Sequence, residues 1–164
     1  RARGHRSRAK LDRMTTAIHR RVDALRAGRD PTFVARLASG WAVLGERQVL
    51  PGYCLLLPDP VVPTLNALAG EARGGFLADM AALGDAVLAV THAARINYAI
   101  LGNQDPALHA HVIPRYSNEP EKLRTQHPWA YDWASAKTFD PVGAEPLKRA
   151  LRTELTRLGA LVET

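Results

Sequence analysis

The sequence predicts a single α+β domain built on an antiparallel sheet. Short apolar runs bounded by Gly and Pro, a pattern typical of strands, lie on both sides of one long helical pattern. The helical patterns are gathered in other parts of the chain and do not alternate regularly with the strands, which favours an antiparallel sheet over a parallel, doubly wound one. A chain of 164 residues is long enough to bury one substantial core.

The net charge of +6 is concentrated at the amino terminus. Residues 1–13 contain six basic side chains and one acidic side chain, whereas the remaining chain is nearly neutral. This composition predicts a disordered basic leader, residues 1–13, before a single domain at residues 14–164. A transit peptide and a phosphate-binding arm are the alternatives to a plain upstream extension. Because the charge lies in the leader, nucleic-acid binding is the weakest functional interpretation.

Cys54 is the only cysteine and lies in an apolar run, so it forms no internal disulfide. We interpret it as a core residue of a protein from a reducing compartment, and we expect a cytoplasmic location. The leader has no apolar segment of the kind that secretory signals contain. We also expect no membrane-spanning segment and no membrane partner.

The first predicted element of the domain is a helix. Thr15 or Thr16 can cap its start, apolar residues follow at helical spacing, and Gly28 is suited to its end. Asp30-Pro31 is expected to begin a short further turn. The apolar residues of that turn are Phe33, Val34 and Leu37.

An antiparallel strand pair is predicted next. Residues 41–44 and 53–57 are apolar runs of strand length, and their connection contains Pro51-Gly52. A long helix follows, because apolar residues recur at spacings of three and four over residues 76–90. Gly74 and Gly75 leave the start of this helix open. Residues 95–101 are then predicted to form a further strand.

The carboxy-terminal part of the chain differs in character. Residues 117–142 are polar and interrupted by Pro, yet they contain Trp129, Tyr131, Trp133 and Phe139. Such a segment is expected to pack over the sheet or over a partner subunit. We interpret the two tryptophans as packing residues and not as a base-stacking platform, because no basic stripe accompanies them. Residues 145–161 predict a final amphipathic helix.

The most informative stretch is residues 105–115. If it is a strand, alternation places His109 and His111 on one face, about 6–7 Å apart, with Ala107 and Ile113. The opposite face is uniformly apolar and suits a core. Two adjacent imidazoles on a strand with small or apolar neighbours predict a functional site.

Two chemistries fit this histidine pair. The sequence contains no GxGxxG, Walker-A, CxxC or HExxH motif. A metal site would need a third ligand, which Asp105, His92 or His127 could supply. In phosphoryl chemistry, a neutral imidazole attacks phosphorus and forms a covalent intermediate.

Residues 103–115 resemble the signature of the histidine triad superfamily, which is His-x-His-x-His followed by two apolar residues and often Pro-Arg. Residues 50–58 are similar to the earlier strand of that family, Val/Leu-Pro-Gly-His/Tyr followed by an apolar run and Pro. The resemblance spans about residues 40–116 and leaves residues 117–164 as a carboxy-terminal extension. It is closest to bacterial members of the dinucleoside polyphosphate hydrolase type.

The resemblance implies a small α+β sheet, usually in a homodimer, that hydrolyses or transfers nucleotides at the α-phosphate. The substrate would be a dinucleoside polyphosphate or a nucleoside phosphoramidate, and no cofactor is expected. His109 corresponds to the nucleophile that forms a nucleotidyl-histidine, and His111 to the residue that binds phosphate or leaving-group oxygens. The candidate substrate-binding residues are Asn97, Asn103, Gln104 and Arg115.

The sequence departs from the family pattern at two positions. Ala107 replaces the first histidine, so this chain has a two-histidine version of the motif. Gly45 occupies a position that is often Asn or Asp and contacts the ribose, and Glu46 is the nearest substitute. These departures leave two alternatives to a hydrolase: a non-catalytic nucleotide-binding protein of this family, or a metal-dependent enzyme that uses His109 and His111.

Overall fold

The computed structural model describes residues 15–162. The predicted leader, Met14 and the last two residues lie outside the described residues. Within residues 15–162 the helices and strands follow in the order α1 (Ala17–Arg26), β1 (Phe33–Arg36), β2 (Gly40–Leu44), β3 (Cys54–Pro58), α2 (Gly70–Thr91), β4 (Arg95–Ala99), β5 (Ala110–Arg115), α3 (Glu121–Arg124) and α4 (Glu145–Arg157).

The five strands form one sheet in the order β1-β2-β3-β5-β4, and every neighbouring pair is antiparallel. The predicted α+β antiparallel fold is therefore confirmed. The strand that carries His111, β5, lies inside the sheet between β3 and β4. His111 pairs with Leu55 on one side and with Ala99 on the other.

The two faces of the sheet have separate cores. On one face α2 and α4 pack over residues that include Leu108, Ala110 and Val112. On the other face α1 packs over a cluster that includes Ala107 and Ile113. The alternation predicted for residues 107–113 is present, and the histidines lie on the α1 face. Cys54 is fully buried, as predicted, and burial raises the pKa of its thiol to about 12.

The 22-residue helix α2 is, by length and composition alone, apolar enough to cross a membrane. We expected no such segment from the sequence. One side of α2 is nevertheless buried against the sheet, through residues that include Phe76, Leu83 and Val87. This packing is what a core helix of a globular domain makes.

Two predicted elements differ from the structure. Residues 33–36 form strand β1 and not a further turn, because Val34 and Ala35 are buried and the segment pairs with β2. The histidine strand begins only at Ala110. The N–H of Leu108 donates to the carbonyl of Val62, so residues 105–109 lie beside a loop and outside the sheet ladder. The start of helix α2, which the sequence left open because of Gly74 and Gly75, lies at Gly70.

Candidate functional site

His109 and His111 form the centre of the candidate site. Their ring centroids are 4.9 Å apart, and the rings are inclined at 72°. His109 lies immediately before β5, and His111 lies within it. The preceding loop is tied to α1, because Asp105 Oδ2 accepts a hydrogen bond from the N–H of Ile18 at 3.2 Å. The loop that leads into the predicted pair is thus attached to the first helix.

The tautomer of His109 follows from its hydrogen bond. Nδ1 lies 2.8 Å from the carbonyl oxygen of Ala107. Since a carbonyl oxygen only accepts, Nδ1 must carry the proton and donate it. The neutral ring then has its lone pair on Nε2. His109 is therefore oriented by its own backbone, with an unprotonated nitrogen available for nucleophilic attack.

His111 is held by Tyr53. The Tyr53 hydroxyl lies 2.7 Å from His111 Nδ1, and the two rings stack with centroids 6.0 Å apart. Burial, together with the nearby His109, lowers the pKa of His111 to about 4. Burial also raises the pKa of Tyr53, so the phenol keeps its proton and is able to donate it to Nδ1. In the tautomer in which it does so, His111 carries its N–H on Nε2, which can donate to an anionic oxygen.

Tyr53 also explains the glycine at position 45. A Cβ atom at Gly45 would lie 2.2 Å from the Tyr53 ring, so a side chain there would displace the ring from the histidine. Gly45 was expected from the sequence to be a departure from the histidine triad pattern, and no sequence motif indicates that Tyr53 is a site residue. In the structure the two features are linked: the ring that holds His111 occupies the space beside residue 45.

An aromatic wall, which consists of Tyr53, Trp129 and Trp133, surrounds His111. The Trp129 ring lies edge-on to His111, with centroids 5.1 Å apart. Trp133 lies edge-on to Tyr53 at 5.4 Å and to Trp129 at 5.5 Å. The aromatic segment predicted at residues 117–142 therefore packs over the histidines of its own chain.

Arg115 anchors this segment. Its guanidinium makes a paired contact with Glu119, at 3.0 Å from Nε to Oε1 and 2.7 Å from Nη2 to Oε2. It also donates to Asn97 Oδ1 at 2.9 Å and to carbonyl oxygens of the loop. Tyr131 donates to the same Glu119. Burial acts to raise the pKa of Glu119, but the hydrogen bonds from Arg115 and Tyr131 outweigh burial and hold that pKa below its usual value.

The predicted substrate-binding residues fall into two groups. Asn97 and Arg115 lie on the histidine face and bind each other, and Arg115 directs its donors to protein groups. Asn103 and Gln104 lie in the exposed turn that follows Gly102, ahead of His109. As substrate ligands all four remain predictions.

Two open grooves flank the histidine pair. The α1 groove, of about 780 Å³, is lined by α1 together with Tyr53, Leu55 and Trp133. The β4 groove, of about 1220 Å³, is lined by β4 together with Ile113, Trp129 and the loop before Trp129. Because Leu55 and Ala99 are the neighbours of His111 on β3 and β4, the histidine lies between the two grooves.

A metal centre is not supported by the donor set. Within residues 15–162, His, Cys, Asp and Glu side chains form no group of three or more that could hold a metal ion. Asp105 uses one carboxylate oxygen on the N–H of Ile18. His92 ends α2 in the left-handed conformation, and His127 is exposed. None of these predicted third ligands joins the histidine pair.

The low pKa of His111 predicts a loss of stability in mild acid. Since the unfolded chain binds a proton near pH 6.5 and the folded site only near pH 4, stability rises with pH between these values and falls as the pH drops. We expect the wild type to lose roughly 2 kcal/mol more than a His111→Gln variant between pH 7 and pH 5. Urea unfolding at both pH values measures this difference, and parallel losses in the two proteins would contradict it.

Comparisons with solved structures identify the fold. The protein resembles a histidine triad protein from Bradyrhizobium japonicum with a TM-score of 0.67 and 21% identity, over 79% of this chain and 93% of the other. It resembles a histidine triad protein from Sinorhizobium meliloti with a TM-score of 0.66 and 20% identity, over 80% and 94% of the two chains. A hypothetical histidine triad nucleotide-binding protein from Sulfolobus tokodaii matches with a TM-score of 0.66 and 15% identity, over 84% and 91%.

No protein-family model matches the sequence, and a comparison with curated proteins finds no match. The structural likeness extends over most of each chain, whereas the sequence identities are low. The protein therefore has the fold of histidine triad proteins.

Proposed function

We propose that the protein is a nucleotide hydrolase or nucleotidyl transferase of the histidine triad type. The observation that carries this proposal is the geometry of His109. The carbonyl of Ala107 fixes the proton on Nδ1, so Nε2 is free to attack. The fold supports the same assignment, as does the position of the two histidines, with His109 immediately before β5 and His111 within it.

The reaction follows from these atoms. His109 Nε2 attacks the α-phosphorus, a P–N bond forms, and the bond from phosphorus to the leaving group breaks with its electron pair on the leaving group. The nitrogen of a phosphoramidate takes up a proton from water as it departs, so that it leaves as an uncharged amine. His111, with a proton on Nε2, donates a hydrogen bond to a phosphate or leaving-group oxygen. Water then attacks the nucleotidyl-histidine, releases a nucleoside monophosphate and restores the imidazole. The substrate is a dinucleoside polyphosphate or a nucleoside phosphoramidate.

The α1 groove is the proposed site for the nucleoside half. Trp133 and Phe139, which are partly exposed, give it apolar surface, and Arg20, Arg29 and Arg47 line it as well. Small-molecule sites commonly combine an apolar lining with a few polar groups. The groove also reaches Tyr53, which places it next to His111.

The alternative is a nucleotide-binding protein of the same fold without catalysis. It is favoured by Ala107, which replaces the first triad histidine and is almost fully buried. A buried methyl group at this position offers no hydrogen bond to a phosphate. The two functions differ in whether a covalent nucleotide forms on the protein.

The test is incubation of the protein with diadenosine tetraphosphate or adenosine 5′-phosphoramidate in the presence of EDTA. Rapid quenching and intact-mass analysis would detect an adenylyl adduct, and chromatography would detect adenosine monophosphate. Turnover with an adduct supports the hydrolase. Binding without turnover of either substrate contradicts it and favours the non-catalytic alternative, whereas activity lost only in EDTA favours a metal-dependent enzyme.

We further propose that the protein is a homodimer. β4 is an edge strand of the described sheet, and Tyr98 on it is 43% exposed. Tyr98 lies over Gly84 of α2, and Leu77 and Leu88, at helical spacing on α2, are each 37% exposed. An edge strand beside an exposed apolar strip is suited to pairing with a second copy. Sedimentation of the wild type and a Leu77→Arg/Leu88→Arg variant tests this surface.

A further inference from the structure

The β4 groove begins directly beside the histidine pair. Ala99, the β4 neighbour of His111, lies in its floor together with Ile113. Trp129, whose ring contacts His111 edge-on, forms one wall. A substrate whose phosphorus is attacked at His109 can therefore extend in two directions. One part enters the α1 groove, and the part on the other side of the scissile bond enters the β4 groove.

The charges that line the two grooves differ. The β4 groove is lined by Arg95, Arg115 and Arg124 and by no Asp or Glu of the described residues. Arg115 is neutralised by Glu119, but Arg95 and Arg124 are exposed, and neither takes part in a salt bridge within residues 15–162. The α1 groove, in contrast, contains both acidic and basic side chains. The β4 groove is thus complementary to an anion.

The groove also offers an aromatic surface. Trp129 is 42% exposed although one edge of its ring packs against His111. An exposed indole beside arginines is the combination that binds a nucleotide, with the base against the ring and the phosphates near the cations. From the sequence we interpreted Trp129 as a packing residue and not as part of a base-stacking platform, because no basic stripe accompanies it. Arg95 comes from a distant strand and reaches the same groove through the fold.

We propose that the β4 groove binds the leaving half of the substrate and that this half is a second nucleotide. Arg95 and Arg124 neutralise its phosphates, and the exposed ring of Trp129, together with Ala99, supplies the apolar surface for its base. This inference rests on the proposed function and narrows its substrate to one of the two classes. The groove favours dinucleoside polyphosphates, because the leaving group of a phosphoramidate is an uncharged amine that would not use the arginines.

The test uses two substrates that share the adenylyl half and differ in the leaving group. For an Arg95→Gln/Arg124→Gln variant, we expect kcat/KM for diadenosine tetraphosphate to fall about tenfold or more, because charge-assisted hydrogen bonds to phosphate are lost. The value for adenosine 5′-phosphoramidate should stay within about twofold, since its leaving group does not reach the arginines. The matched control, Arg149→Gln/Arg157→Gln, removes two positive charges from α4 on the other face of the sheet.

The outcomes separate this inference from the proposed function. Equal effects of the variant on both substrates, or no effect on either, would overturn the groove assignment while the hydrolase stands. The groove assignment would also be overturned if the wild type hydrolysed the phosphoramidate but not diadenosine tetraphosphate. If the wild type turns over neither substrate, the proposed function fails, and the assignment of a leaving half fails with it.

A second variant tests the contact with the base. Trp129→Leu keeps an apolar residue against His111 but removes the aromatic face. We expect it to lower kcat/KM more for diadenosine tetraphosphate than for adenosine 5′-tetraphosphate, whose leaving group is triphosphate without a base. Equal losses for the two substrates would show that Trp129 acts only through His111 and would overturn the stacking assignment.

Discussion

A His109→Ala variant is expected to lose at least about a thousandfold in kcat for either substrate and to form no adenylyl adduct. The loss is large because the substitution removes the attacking atom. We do not expect His111 to replace it, since the Tyr53 hydroxyl binds its Nδ1 and, with the phenol as the donor, its Nε2 carries the proton. Steady-state kinetics and intact-mass analysis of the variant and the wild type measure the two effects.

Two further variants serve as controls for the His109→Ala result. His92→Asn removes a histidine outside the site, at a left-handed position that Asn tolerates, and should keep wild-type kinetics and the adduct. His111→Gln retains an N–H donor and is expected to show a smaller loss than His109→Ala, with the adduct still detectable. An adduct that persists in His109→Ala would show that another residue is the nucleophile.

The position of the histidines could be predicted because it follows from local alternation. Side chains of an extended segment point alternately to two faces, and the observed cores divide in that way. Ala107 and Ile113 belong to one cluster, whereas Leu108 and Val112 belong to the other. The alternation continues through His109, although the strand itself begins one residue later. The local pattern therefore predicted the direction of the side chains. It did not predict which backbone groups take part in the hydrogen bonds of the sheet.

The surroundings of the histidines could not be predicted, because they depend on contacts between distant residues. Tyr53 is 58 positions away from His111 and reaches it only because β3 and β5 are neighbours in the sheet. Trp129 lies in a segment without regular spacing, so no period indicates which surface it covers. The one signal was its composition: an aromatic-rich irregular segment must pack over something.

Strand β1 was missed for a related reason. It has four residues, and its two buried residues, Val34 and Ala35, are adjacent and do not alternate with exposed ones. Such a short run is equally compatible with a turn of helix. Pairing with β2 decides the conformation, since it satisfies the backbone of a segment whose side chains are buried.

An Arg115→Leu variant is expected to lose about 3–5 kcal/mol of unfolding free energy, because it leaves a buried carboxylate without its partner. The side chains of Arg115 and Glu119 are only 8% and 3% exposed. The substitution also removes the donors to Asn97 and to the carbonyl oxygens of Leu123 and Gln126. Urea unfolding measures the loss, and tryptophan fluorescence reports on Trp129 and Trp133.

Two control variants separate the loss of the Arg115 ion pair from a simple loss of charge. Arg157→Leu breaks an exposed pair with Glu154 and should leave the urea midpoint nearly unchanged, because exposed ion pairs contribute little. Arg115→Lys keeps the charge but cannot make the paired contact, so its free energy of unfolding should lie between those of Arg115→Leu and the wild type.

If Arg115→Leu unfolds like Arg157→Leu, the segment is held by its aromatic contacts and not by the ion pair. If Arg115→Leu is destabilised and its fluorescence shifts, the position of the aromatic wall over His111 depends on a residue four positions along the same strand.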